Sequence, residues 1–157
     1  METAVGCLGT RCVSMLELTV INTRHPLYEA ALDLRYEVLR APLGMARDTL
    51  PTPGERLGPH IVAVQDGAVV GSVSLRPLGA GVGKLYQMAV APRLQRTGVG
   101  QALVERLEQH ARFVGLQRIE LHAREVARAF YERQGYVVEG AAFVEVGLPH
   151  FKMTKQM

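Results

Sequence analysis

The sequence predicts an α/β fold, a single domain with one mixed central sheet and flanking helices. Three observations carry that expectation. β-rich runs alternate with segments whose apolar residues recur at helical spacing, Asp66-Gly67 stands between two such runs as a hairpin turn, and no internal repeat or low-complexity segment divides the chain. With 157 residues, 48% of them apolar, there is enough side chain for one ordinary core.

Residues 1–14, METAVGCLGTRCVS, show neither a helical nor a strand period and read as a flexible N-terminal extension. Cys7 and Cys12 are the only cysteines; four residues between them fit neither a zinc knuckle nor a redox pair, so they read as free thiols. The folded domain is expected over 15–157. Leu16, Leu18 and Val20 alternate as a half-buried strand does. Pro26 is placed to open a helix in which Leu27, Ala30, Ala31, Leu34 and Val38 recur at helical spacing. From Ala41 to Pro59 prolines and glycines crowd the chain, which predicts a long loop of functional interest.

HIVAVQDGAVVGSVSL then reads as a hairpin, and KLYQMAV as the next strand. Leu103, Leu107, Ala111 and Val114 define a helix from Gly98 that Gly115 ends, its apolar stripe narrow and backed by charge. RIELHA is a short strand, and Val126 to Gln134 a helix stopped by Gly135. YVVEGAAFVEV and FKMTK read as two final strands joined at Gly147-Leu148-Pro149.

Eighteen Lys and Arg against fifteen Asp and Glu give a net charge of +3, with the two signs interleaved along the chain. That pattern argues against wrapping a polyanion, so nucleic acid is not an expected partner. No apolar run approaches the ~20 residues that span a bilayer, and no leader opens the chain; a cytoplasmic protein with no membrane partner is expected. The five histidines lack ligand spacing, and no metal is expected. Arg24, Arg35 and Arg40 read as solvated surface or as acceptor contacts, with surface the preferred reading.

Gly98 and Gly100 stand at the start of a helix, where glycine is poor material. The first turn of a helix offers unpaired N–H groups, and the amides from Arg96 to Gln101, with the charges of Arg93 and Arg96, could converge on a phosphate. Gly100 is followed by Gln101 and Ala102, which excludes a Walker A loop, and a dinucleotide fingerprint lacks its third glycine. A plain strand-to-helix turn would use the same glycines for their dihedrals, so both readings stay open on these residues.

QRTGVG, following LYQMAV, resembles the Gln/Arg-x-x-Gly-x-Gly/Ala signature of the GNAT superfamily of N-acyltransferases. ARAFYERQGY is similar to that superfamily's Ala-x-x-Phe-Tyr-x-x-x-Gly-Phe/Tyr segment, and EVGLPHFKM resembles the ending of the ElaA-like and YjcF-like branch. The resemblance implies a GNAT fold whose sheet splays at strands four and five, and an acetyl-CoA-dependent N-acetyltransferase acting on a primary amine by direct attack in a ternary complex. It implies a pantetheine arm along the backbone of Gln87, Met88, Ala89 and Val90. The pyrophosphate would lie on Gln95, Arg96, Thr97, Gly98, Val99, Gly100 and Gln101, with Arg124, Ala127 and Phe130 also beside the cofactor. Arg124 stands where many relatives carry a cofactor-holding asparagine. Tyr131 would be the general acid and the Met88 amide would polarise the acetyl carbonyl. His150 is the named candidate base, with His122 and Glu145 as further candidates. Expected partners are acetyl-CoA and an unidentified amine acceptor, with a homodimer allowed. A non-catalytic acyl-CoA-binding or sensing domain is the alternative from another class, and a nucleotide-phosphate binding module a second.

Overall fold

A computed structural model describes residues 15–157 and two short strands before them, Cys7–Leu8 and Arg11–Cys12, which pair antiparallel. Apart from these four residues, of which only the backbone is described, the stretch 1–14 expected to be a flexible extension with free thiols lies outside the described residues.

Alternation builds the sheet. The strands are β1 (Glu17–Ile21), β2 (His60–Gln65), β3 (Ala68–Gly79), β4 (Val82–Val90), β5 (Arg118–Arg124), β6 (Val137–Val138), β7 (Phe143–Glu145) and β8 (Leu148–Gln156). Their order is β1-β2-β3-β4-β5-β8-β6, with β7 added to β8. β4 and β5 are parallel, and every other pair is antiparallel. Successive side chains on β2 go to opposite faces: Ile61 and Ala63 join the cluster around α2 (Val99–Phe113), whereas Val62 joins Ala31 and Leu32 of α1 (Tyr28–Arg35). At the β2–β3 hairpin Asp66 and Gly67 both take the left-handed conformation, φ 52° and 76°, that such a turn demands.

Leu103, Leu107 and Ala111 are buried as their spacing requires, but Val114 is 52% exposed, and Glu108, expected among the charges behind the stripe, is buried. Its carboxylate accepts two 2.8 Å bonds from Lys155 Nζ, which ties α2 to β8. The first helix continues past Arg35 as a π turn over Tyr36–Arg40 and a 3-10 turn over Ala41–Leu43. The helix expected over Val126 to Gln134 is a 3-10 turn, Glu125–Ala127, leading into α3 (Arg128–Arg133). YVVEGAAFVEV is two strands, β6 and β7, separated where Gly140 turns at φ 82°, and the last strand starts already at Leu148.

Candidate active site

β4 and β5 pair only at Val82–Arg118, Gly83–Ile119 and Lys84–Glu120, although β4 runs on to Val90 and β5 to Arg124. A bulge separates them. Ser74 of β3 faces Tyr86, yet Ser72 faces Ala89, so β4 carries one extra residue, and Gln87 takes φ 55°. The bend swings the second half of β4 off β5 and opens a cleft of about 550 Å³. Tyr86, Gln87 and Met88 line one wall, His122 and Arg124 the other, and Phe130 and Tyr131 a third side. Leu43, Met45, Thr52 and Pro53 of the long loop complete it.

The structure brings several expected site residues together here. Gln87 and Met88 sit at the bulge, outside the regular ladder, and Gln87 Oε1 is a buried acceptor without a partner among the described residues. Ala89 stays paired with Ser72, and the Val90 carbonyl accepts from Gln95 Nε2 at 3.2 Å. Ala127, Phe130, Tyr131, Arg124 and His150 all line the cleft. The turn from Gln95 to Gln101 does not line it but adjoins it through Phe130. There Gly98, at φ 95°, caps α2 with no side-chain cap, and the Ala102 amide begins the helical bonding on its carbonyl. The amides of Val99, Gly100 and Gln101 are thereby left as first-turn donors. The Thr97 amide and hydroxyl both bond Leu94 O, so Thr97 itself is spent on the turn.

The two glycines do different things. A Cβ on Gly98 would meet nothing within 4 Å, so glycine is required there by dihedral. A Cβ on Gly100 would lie 3.2 Å from Phe130 Cζ, so that position keeps room for an aromatic ring of the cleft wall. Packing against Phe130 is thus a reason for glycine at position 100 that does not depend on a phosphate.

Tyr131 is 6% exposed, edge-on to Phe130 at 5.0 Å and to Tyr136 at 5.9 Å, and its hydroxyl has no hydrogen-bond partner among the described residues. Burial pushes its pKa well up and keeps it protonated. Across the cleft one carboxylate gathers two imidazoles: His122 Nδ1 lies 3.3 Å from Glu145 Oε1, and His150 Nε2 3.6 Å from Glu145 Oε2. His150 donates from Nδ1 to Leu148 O at 2.8 Å. Phe143 packs between them, edge-on to His122 and stacked on His150.

This architecture meets known proteins at the level of both sequence and fold. Residues 55–157 match the family model described as an acetyltransferase (GNAT) domain. The chain belongs to the GNAT acetyltransferase family. The uncharacterized N-acetyltransferase YjcF of Bacillus subtilis (strain 168) is 33% identical to this GNAT chain over 97 residues, 61% of the chain and 69% of the relative. Matches to two further proteins of that strain span 65% and 66% of their lengths, just under two thirds. ElaA of Escherichia coli superposes with a TM-score of 0.80 at 17% identity, covering 90% of this chain and 99% of that one. An aminoglycoside 6'-N-acetyltransferase complexed with coenzyme A superposes at 0.72 and 17% identity, covering 89% and 96%. The fold is thus the single GNAT fold, with its parallel, splayed β4 and β5.

Behind the wall that Tyr86 and Thr52 give the cleft of this GNAT domain lies a polar network that sequence reasoning missed. Arg35, expected at the surface, is fully buried. Its Nη1 donates to Glu55 Oε1 at 2.6 Å and its Nη2 to Ser74 Oγ at 3.0 Å and His60 Nδ1 at 2.9 Å. His60 donates from Nε2 to Glu55 O at 2.8 Å, which fixes a neutral ring. Tyr28 at 2.7 Å, Thr52 at 2.8 Å and Tyr86 at 3.3 Å also donate to the Glu55 carboxylate. Burial would raise the Glu55 carboxyl, but the Arg35 charge and the bonds from Tyr28, Arg35 and Thr52 hold it below its ordinary value. Burial, with the Glu55 charge behind it, pushes Tyr86 up to about 12. The sequence signal was thin: Arg35 falls on the Ala31–Leu34 side of α1, while Glu55 sits in a loop with no period at all.

Proposed function

We propose that this chain is an acetyl-CoA-dependent N-acetyltransferase that transfers an acetyl group to a primary amine by direct attack in a ternary complex. The observation that carries the reading is the splay: a strand edge freed at Gln87 and Met88 opens beside Tyr131 and leads, through Phe130, to the uncapped start of α2. The fit is chemical. First-turn amides beside Arg93 and Arg96 suit a pyrophosphate, and the orphaned Gln87 Oε1 suits an amide N–H of the pantetheine arm. Relatives and structural neighbours named as acetyltransferases, one complexed with coenzyme A, support the same cosubstrate.

In this reading the Met88 amide, turned out of the β3 ladder by the bulge, donates to the acetyl oxygen. The amine nitrogen forms its bond to the acetyl carbon, the carbon–sulfur bond breaks, and the Tyr131 hydroxyl gives its proton to the departing sulfur. The amine's surplus proton goes to a histidine. His150, the candidate from sequence, has Nδ1 bonded to Leu148 O and Nε2 turned to Glu145, whereas His122 spends only Nδ1 on Glu145 and keeps Nε2 for the cleft. His122 therefore takes the proton, Glu145 orients it, and His150 holds Glu145. Water then carries the proton from His122 back to Tyr131, which restores both groups.

Thermal shift with acetyl-CoA, coenzyme A and ATP, followed by an amine screen read by thiol release, tests this. Stabilisation by both thioester and thiol with thiol release on some amine supports it. Preference for ATP, or binding without transfer to any amine, overturns it in favour of a phosphate module or an acyl-CoA sensor.

A further inference from the structure

The cleft's cations have no acidic partners. Lys84, Arg76, Arg40 and Arg124 line it half-buried, and none makes an ion pair with a carboxylate among the described residues. Arg40 and Arg124 reach only neutral atoms, Met45 Sδ at 3.8 Å and Leu39 O at 3.5 Å. The nearby carboxylates are engaged elsewhere. Glu145 holds two imidazoles, Glu55 takes four donors, and Glu120, across from Lys84 on β5, pairs with Arg118 at 3.5 Å and Lys152 at 3.6 Å.

Arg76 and Lys84 are moreover directly opposite each other on β3 and β4. Like charges so placed repel, and neither forms an ion pair with a carboxylate among the described residues. Arg76 is also set in place: its guanidinium lies against Gly54, φ 89°, where a Cβ would come within 3.1 Å of Cζ. The cosubstrate's phosphates are a poor explanation, because Lys84 precedes Val90 by six residues of strand, roughly 20 Å from the end where the α2 turn begins. Arg76 and Lys84 share instead the face that carries Ser74 and Tyr86, toward the long loop.

We infer that the acceptor is an anionic amine, a primary amine whose carboxylate or phosphate is held by Arg76 and Lys84, with Arg40 and Arg124 adding charge from the flanking walls. The inference rests on the proposed acetyl transfer and adds its substrate class.

Matched probes test it: ethanolamine against O-phosphoethanolamine, and β-alaninamide against β-alanine. Each is added to the protein with coenzyme A for thermal shift, and with acetyl-CoA for thiol release, in wild type and in Arg76→Gln/Lys84→Gln. The expectation is a stabilisation by at least one anionic probe that its neutral partner lacks, weakening with salt, and a kcat/KM about tenfold or more in its favour. The double variant should lose the anion-dependent stabilisation and most of that preference while coenzyme A still stabilises it. Whether phosphate or carboxylate is preferred follows from which pair responds. Equal response to charged and neutral members in wild type, or an unchanged preference in a double variant that still binds coenzyme A, overturns the anionic acceptor. Failure of coenzyme A to stabilise the wild type is a different result, the loss of the acetyl-transfer reading itself.

Discussion

Arg35 Nη1 lies 2.6 Å from Glu55 Oε1, the guanidinium fully buried and the carboxylate 5% exposed. That contact fastens α1 to the loop that walls the cleft, and Tyr86 carries it to β4. A buried pair is weak evidence of stability against an apolar replacement, yet removing one partner strands the other. Arg35→Met should cost about 3–5 kcal/mol in urea unfolding, and Arg35→Met/Glu55→Gln, which removes the stranded charge but keeps acceptor oxygen for Tyr28, Thr52 and Tyr86, should recover part of it. A single variant that loses under about 1 kcal/mol would show the pair to be incidental.

The same network sets a pH dependence. His60 is held below its ordinary value, by burial first and by the Arg35 charge, against the bond to Glu55 O. The unfolded chain therefore takes up a proton near the free histidine value of about 6.5 while the folded one does not, and stability falls as pH drops below that point. Glu55, also depressed, adds a loss of the same sign once pH falls below about 4.3. His110 is likewise held low and shares the first step. His60→Gln should flatten the slope of stability between about pH 6.5 and 4.5 relative to wild type; an unchanged slope assigns the step to His110.

Because Glu55 and Thr52 anchor the loop, its two halves should respond differently to shortening. Removing residues 44–48, which include the cleft residue Met45, should raise acceptor KM more than it weakens acetyl-CoA binding. Replacing Thr52 through Glu55 should instead compromise folding, since four donors lose their carboxylate. Equal loss of acceptor and acetyl-CoA binding from the first deletion would make that half structural too.

The glycines at α2 separate backbone from packing. Gly98→Ala should destabilise by about 1–2 kcal/mol through its left-handed φ alone. Gly100→Ala must push Phe130, and Phe130→Leu should relieve it. Gly100→Glu adds a negative charge at the helix start, and in a folded variant acetyl-CoA affinity should fall by about tenfold or more. Unchanged affinity would remove the pyrophosphate from this turn.

Legibility in the sequence followed periodicity and motif. β2, β3 and α2 announce themselves by alternation and helical spacing, and Asp66-Gly67 by turn chemistry. The positions of Tyr131, Arg124 and His150 around one cleft followed from the motif registers. What stayed hidden was nonlocal. A bulge at Gln87 depends on how β3 and β4 register, which no window of β4 contains. Arg35 looks like any helix-surface arginine until Glu55, twenty residues away, supplies its partner. The Glu145 cluster likewise joins β5, β7 and β8, so His122 and His150 read as lone histidines along the chain.

Tyr131 offers the sharpest test of mechanism. Tyr131 lines the cleft and its hydroxyl has no hydrogen-bond partner among the described residues, so Tyr131→Phe removes no hydrogen bond described there and leaves the ring contacts with Phe130 and Tyr136 in place. Stability should therefore change little. The burial that raises this phenol's pKa also disfavours a bare thiolate beside it, so a proton donated here matters most as the carbon–sulfur bond breaks. With an acceptor in hand and acetyl-CoA saturating, kcat should fall by roughly 10²-fold while acetyl-CoA affinity is nearly unaltered. Retention of more than about half of the wild-type kcat, with chemistry rate-limiting, would leave Tyr131 a packing residue and hand protonation of the sulfur to water or to the incoming amine.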